Sequence, residues 1–332
     1  MIRSSKIIQS LLILFAASQQ LYSQSVETTG RPIAEIFTDF HYNFNDTTKH
    51  TGFDLKRAFL GYQFLPKGNF SAKLLINVGS PDDLANGSYS RRYAFFREAS
   101  IAWSNNNLTI TMGMTGTRIM EFQQKFWGKR YIANTFQSIN RYGFVADLGI
   151  TADYIINKTF QADITIMDGE GYSYLQADDN LKTSLGLTIT PNERITVRIY
   201  GDIQRQKGLW QPVLIGFIGY KNDLITIGGE IDYKSNIDLV EGHHAWGLSS
   251  TAGINISRKT EIFARIDYIS SVVLPNDEIK WNYLNNGILT VAGVQYTFNQ
   301  YVKVALDYQG TSPYTSSGMP TDLIYLNALF RF

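Results

Sequence analysis

The sequence predicts an all-β chain: a transmembrane, antiparallel, up-and-down β-barrel of about sixteen strands. Three observations carry that expectation. Period-two alternation recurs from residue 33 to the last residue, with one face apolar and the other bearing full charges of both signs. The connections alternate between tight turns and longer loops, the asymmetry of outer-membrane barrels. The composition holds 20 Tyr, 20 Phe and 27 Gly against 8 Pro and no Cys, which suits strands and turns rather than membrane helices or thiol chemistry.

The first segment stands outside the barrel. Arg3 and Lys6 form a positive start, residues 7–17 are apolar, and a polar stretch ends near Ser23. That layout predicts a secretory signal peptide over 1–23, leaving 24–332 as one exported barrel domain. The predicted strands are 33–44, 53–64, 69–79, 93–104, 107–114, 142–156, 159–167, 181–190, 194–205, 211–220, 223–234, 245–256, 260–272, 287–298, 300–310 and 321–332. The clearest is 194–205, where Ile195, Val197, Ile199 and Ile203 oppose Thr196, Arg198, Tyr200, Asp202 and Gln204. Longer loops are expected at 45–52, 80–92, 115–141, 168–180, 206–210, 235–244, 273–286 and 311–320.

The charged faces carry Lys73, Arg198, Arg265 and Lys303, but also Glu230, Asp232 and several further carboxylates. In a sixteen-stranded barrel these line an aqueous channel, because barrels of that size are too wide to fill with side chains. Aromatic residues near strand ends, among them Tyr62, Phe64, Tyr154, Tyr268, Tyr296 and Phe298, read as interfacial girdles. The last strand puts Phe330 and Phe332 on one face, and an aromatic ending of this kind resembles the signal that outer-membrane barrels present to their assembly machinery.

The longest departure from alternation is the segment 115–141. It carries Arg118, Lys125, Lys129, Arg130 and Arg141 against Glu121, together with Phe122, Phe126, Trp127, Tyr131 and Phe136. A loop of this length with no strand pattern is usually functional. It is expected to fold against the inner wall and, with Arg91 and Arg92 of the preceding long loop, to set a basic constriction that tunes selectivity by field. The competing reading is an external loop that packs its aromatics on the rim and meets lipopolysaccharide phosphates.

Other chemistries find little support. A net charge of +1 offers no concentrated basic face for nucleic acid. His243 and His244 are adjacent, so they point to opposite faces and suggest no metal site. Neither a GxSxG elbow nor an HExxH pair occurs, and no enzyme or cofactor is expected.

Several stretches resemble a porin family of Bacteroidetes-type bacteria related to the phosphate-selective porins O and P: residues 55–62 (LKRAFLGY), 69–79 (NFSAKLLINVG), 92–103 (RYAFFREASIAW), 107–117 (NLTITMGMTGT), 122–131 (FQQKFWGKRY) and 142–148 (YGFVADL). The resemblance implies an outer-membrane, water-filled barrel whose inner basic residues favour anions, phosphate among them. Porins of this size are commonly homotrimers. The mixed signs on the inner face argue against a full phosphate ladder. The expected function is passive diffusion of small hydrophilic solutes with a mild anion preference. The alternatives are a receptor or adhesin with a blocked lumen, and a transporter for a hydrophobic solute.

Overall fold

The computed structural model describes residues 29–45, 51–65, 68–79, 93–176, 179–206, 208–272, 274, 286–314, 318 and 320–332. Sixteen strands pair with their sequence neighbours in one closed antiparallel sheet. They are β1 (Thr29–Asn43), β2 (Gly52–Leu65), β3 (Phe70–Gly79), β4 (Tyr93–Asn105), β5 (Leu108–Gly116), β6 (Ala146–Ile155), β7 (Phe160–Met167) and β8 (Lys182–Asn192), followed by β9 (Ile195–Gln206), β10 (Leu209–Lys221), β11 (Ile225–Ser235), β12 (His244–Asn255), β13 (Thr260–Ser271), β14 (Gly287–Thr297), β15 (Val302–Pro313) and β16 (Thr321–Arg331). The sheet closes where β1 pairs with β16, from Glu35 opposite Arg331 to Asn43 opposite Leu323. Phe332 and Ala34 exchange two further backbone hydrogen bonds at 3.0 and 3.2 Å. No strand edge is left to face lipid, where its backbone groups would go unsatisfied.

The burial pattern is inverted relative to a soluble domain. In β10, Phe217 is 7% exposed and the next residue, Ile218, is 60% exposed. The same step separates buried Arg198 from exposed Ile199, Asp232 from Ile231, and Arg265 from Ile266. Charged side chains are covered and aliphatic ones are bare, the arrangement of a barrel with lipid outside and a polar interior. Aromatic pairs stand on the outer face near the strand ends: Tyr62 with Phe64 (4.7 Å between centroids), Tyr296 with Phe298 (4.8 Å) and Trp246 with Tyr268 (5.0 Å). Phe330 and Phe332 are also exposed on that face, 6.3 Å apart.

Three details differ from the sequence reading. The expected loop 206–210 is largely taken up by strand, because Gln206 already pairs with Leu209, and Gly208 takes φ +83°. The connection from β9 to β10 is therefore short although it sits on the long-loop rim, and the alternation of lengths breaks there. β6 begins at Ala146 rather than 142. Tyr142 is fully buried against Phe136 (5.5 Å), so 142–145 belongs to the preceding segment. β1 starts four residues earlier than expected, since Thr29 pairs with Leu65. The signal segment 1–23 lies outside the described residues.

Two β-bulges matter for the interior. One shifts the β1–β2 register between Phe37 and Thr38, the other the β3–β4 register between Leu75 and Ile76. An extra residue on one strand re-aims a side chain. Here it lets Lys56 and Arg57, and likewise Arg97 and Glu98, turn inward together although each pair is consecutive.

Candidate functional site: the segment between the fifth and sixth strands

Residues 117–145 contain one helix of ten residues, α1 (Arg118–Trp127), and one turn of helix, α2 (Phe136–Ile139). α1 starts after Thr117, whose hydroxyl donates to the Phe144 carbonyl. Glu121 in its first turn and Lys125 in its last complement the helix dipole. It stops at Gly128, which takes φ +65° and donates its N–H to the Gln124 carbonyl at 2.9 Å. The buried face is Ile119, Met120, Gln123 and Trp127. The sequence reading missed this helix. The i, i+4, i+8 spacing of Ile119, Gln123 and Trp127, closed by Gly128, was the available signal.

The segment meets inward-facing residues all around the sheet. Phe122 and Phe126 pack edge-on against Phe217 of β10 at 5.1 and 4.7 Å. Trp127 meets Phe263 of β13 at 6.1 Å, and Tyr131 meets Phe37 of β1 at 6.4 Å while donating to Gln295 Oε1 of β14 at 2.8 Å. Gln137 Nε2 donates to Asp232 Oδ2 of β11 at 2.6 Å. Two apolar clusters form in this way. One gathers Ile119, Met120, Phe136 and Tyr142 with Tyr200, Val213 and Ile215; the other gathers Trp127, Tyr131, Ile132 and Ala133 with Phe37, Phe59, Phe263 and Leu329.

Glycines on the inner face make room for the rings. A Cβ on Gly228 would stand 2.6 Å from Phe126 Cε1, and one on Gly219 would collide with the same ring. A Cβ on Gly247 would collide with Phe136. A glycine inside a strand weakens it and marks a place where another group approaches closely. These three mark the seats of two phenylalanines.

The basic residues separate into classes. Arg118 is held by Asp153 through two hydrogen bonds of 2.9 and 2.6 Å and also pairs with Glu121. Lys129 is buried, 2.6 Å from Glu261 Oε1, with its ammonium over the rings of Trp127 (5.2 Å) and Phe263 (5.6 Å). Burial holds the Lys129 ammonium below the usual lysine range, and Glu261 opposes that shift. Burial, helped by Asp307 and Glu261, raises the Tyr131 phenol, so it stays a hydrogen-bond donor. Arg130 lies with its guanidinium 5.6 Å over Phe59. Lys125 and Arg141 are exposed, and Arg141 takes φ +53°. Arg91 and Arg92 lie outside the described residues.

On the wall, Lys73 pairs with Glu98 at 2.8 Å, and Arg198 clamps Asp163 through bonds of 2.7 and 3.1 Å. Arg265 clamps Asp267 and also donates to the Asn134 carbonyl. Lys303 is half-buried, and Glu230 faces inward two residues before Asp232. The sequence reading did not single out Lys56, Arg57, Arg97 or Lys182. Lys182 pairs with Asp202 at 3.1 Å, and Arg97 lies 5.8 Å from the Tyr172 ring centre. The doubled charges Lys56-Arg57 and Arg97-Glu98 were the signal, since strict alternation would put one of each pair in lipid.

The comparisons with known proteins give the fold. An anion-selective porin from Comamonas acidovorans superposes with a TM-score of 0.68 at 10% identity, covering 92% of this chain and 100% of that one. The fold is the porin fold. OmpF of Salmonella typhi gives 0.67 at 10% identity, covering 92% and 98%. OmpT of Vibrio cholerae lacking loop L8 gives 0.65 at 13% identity, covering 92% and 99%. No protein-family model matches the sequence, and no curated protein matches it. At these identities the porin fold is shared while the residues inside it are this chain's own.

Proposed function

We propose that this chain is an outer-membrane porin that lets small hydrophilic solutes diffuse passively, with a mild preference for anions. The observation that carries this is the closed sixteen-stranded porin fold with bare aliphatic side chains outside and charged ones within. The 117–145 segment crosses the lumen and narrows it. Its exposed Lys125 supplies the positive side of the path. The preference is mild because so many other inward cations are matched: Lys73 with Glu98, Lys129 with Glu261, Lys182 with Asp202, Arg198 with Asp163 and Arg265 with Asp267. Phosphate fits such a path as one anion among several.

On this reading the chain is exported by the 1–23 signal and inserted through its Phe330–Phe332 ending by the assembly machinery. It stands among outer-membrane lipid and lipopolysaccharide as a homotrimer. Its relatives are the Bacteroidetes-type porins related to porins O and P. It performs no catalysis.

The test is single-channel recording of the purified protein in a planar bilayer under a potassium chloride gradient. Steady open steps with a reversal potential on the anion side are expected. Open steps with cation preference would remove the basic path but keep the channel. A correctly folded barrel that passes no current would overturn the reading and favour a receptor or adhesin.

A further inference from the structure

We propose that Lys56 is the positioning residue of the 117–145 segment: it ties the tip of the segment to the seam where the barrel closes. The proposal rests on the porin reading only for its consequence, the width of the path. The docking itself stands on contacts.

Lys56 faces inward through the β1–β2 bulge. Its ammonium donates to the Ile132 carbonyl at 3.0 Å and to Asn327 Oδ1 of β16 at 2.7 Å, and it lies 3.2 Å from Asp39 Oδ2 of β1. Two of its three donors thus have hydrogen-bond acceptors on different parts of the chain, and the Asp39 carboxylate adds an ion pair from a third. The Ile132 carbonyl also accepts from Gln309 Nε2 of β15 at 3.2 Å. Gln309 and Asn327 in turn both donate to Asp307, at 2.9 and 2.6 Å. One loop carbonyl is thus held by a network drawn from β1, β2, β15 and β16, the strands that flank the closure.

The neighbouring carbonyls are held alike. Arg265 donates to Asn134 O and Lys234 Nζ to Arg141 O, the latter at 2.9 Å. Three inward cations therefore bind loop backbone. A covered carbonyl without a donor would be costly. The apolar contacts of the tip, with Tyr131 and Ile132 each 1% exposed, set no direction of their own, so direction comes from the hydrogen bonds of Tyr131 to Gln295 and of Gln309 and Lys56 to the Ile132 carbonyl. Lys56 supplies the charged one of these, and it alone joins the tip to both β16 and β1. With the tip pinned at 132 and the segment rooted at β5 and β6, the bridge across the lumen has two fixed ends.

The chain has no Cys, so Ala133→Cys gives a clean reporter of the tip. In that background Lys56→Met keeps the aliphatic stem and removes the donors. Its thiol is expected to react with a water-soluble maleimide about tenfold faster than in the parent. Lys56→Arg should restore most of the protection. Lys73→Met, which also removes one inward cation but touches only Glu98 among the described contacts, should leave the rate unchanged. Unitary current in Lys56→Met should be larger and noisier than in the parent.

An unchanged thiol rate in Lys56→Met, or an equal rise in Lys73→Met, would overturn the proposal. Should Lys56→Met fail to assemble, Lys56→Gln in the same assay decides by the same criterion. If the parent itself passes no current, the porin reading fails while the thiol rates still judge the docking.

Discussion

Glu261→Gln isolates one strut of the interior and yields a magnitude with a sign. Lys129 Nζ lies 2.6 Å from Glu261 Oε1, and the two side chains are 8% and 16% exposed. Two unit charges a few ångströms apart attract by roughly 4 kcal/mol at an effective dielectric near 20. Stranding one member of a buried pair typically costs about 3–5 kcal/mol. Lys129 has one escape, the loss of its proton. Burial already lowers its pKa and Glu261 is what pulls it back, so removing Glu261 lowers it further. The undocked segment then binds more protons than the docked one at any pH between the lowered value and the ordinary lysine value near 10.4. Docking in Glu261→Gln must therefore strengthen as pH rises through that window, by up to about 1.36 kcal/mol per unit, and be weakest below it.

The assay is hydrogen exchange of residues 125–133 by mass spectrometry across pH, corrected for intrinsic rates. The double variant Lys129→Met/Glu261→Gln keeps the contact with Trp127 and Phe263 and strands no charge. It should be better protected than Glu261→Gln at pH 7. Equal protection in the single and double variants, or a single variant that loses protection on alkalinisation, would refute the reasoning.

Three further outcomes are expected. Gly228→Val should expel Phe126, since even its Cβ would stand 2.6 Å from that ring, weakening the docking by about 1–3 kcal/mol and raising open-channel noise with the barrel intact. Lys125→Glu should move the reversal potential toward cations, whereas Lys129→Glu, which sets two carboxylates together against Phe263, should first undock the segment; hydrogen exchange distinguishes the two. Removal of Phe332, which bonds Ala34 across the closing pair, should lower the yield of assembled barrel without altering the unitary conductance of what assembles.

The barrel was legible because alternation is a direct physical demand: a strand with lipid on one face and a polar interior on the other can satisfy both only with period two. The run from Ile195 to Gln204 reads the same in sequence and in space. The failures fall where other rules intervene. Tyr142 and Phe144 continue a period-two pattern backwards from β6, yet the structure uses Tyr142 as a plug against Phe136. The helix α1 carries charges on a half-buried face, so its apolar period was diluted by Gln123 and Arg118, both of which find partners or cover only after folding. Partner choice was not legible at all. Nothing in the order of residues says that Lys129 meets Glu261, more than a hundred positions away, or that Lys234 serves a carbonyl rather than a solute.

The departures from alternation are of two kinds, and they serve the same segment from opposite directions. A bulge adds an inward side chain: Lys56 exists inside only because β2 holds one residue more than β1 at that point. A glycine subtracts one: Gly219, Gly228 and Gly247 leave hollows that rings from the segment occupy. Both weaken the sheet locally, since a bulge leaves a residue unpaired and a strand glycine forfeits packing. A barrel needing only to close would gain nothing from either. Their combined effect is to dock one aromatic, basic segment at fixed points on β10, β11, β12 and the β16–β1–β2 seam. The inner wall is therefore shaped around the segment as much as around the path, and substitutions at these wall positions should act on conductance through the segment's position before they act through charge.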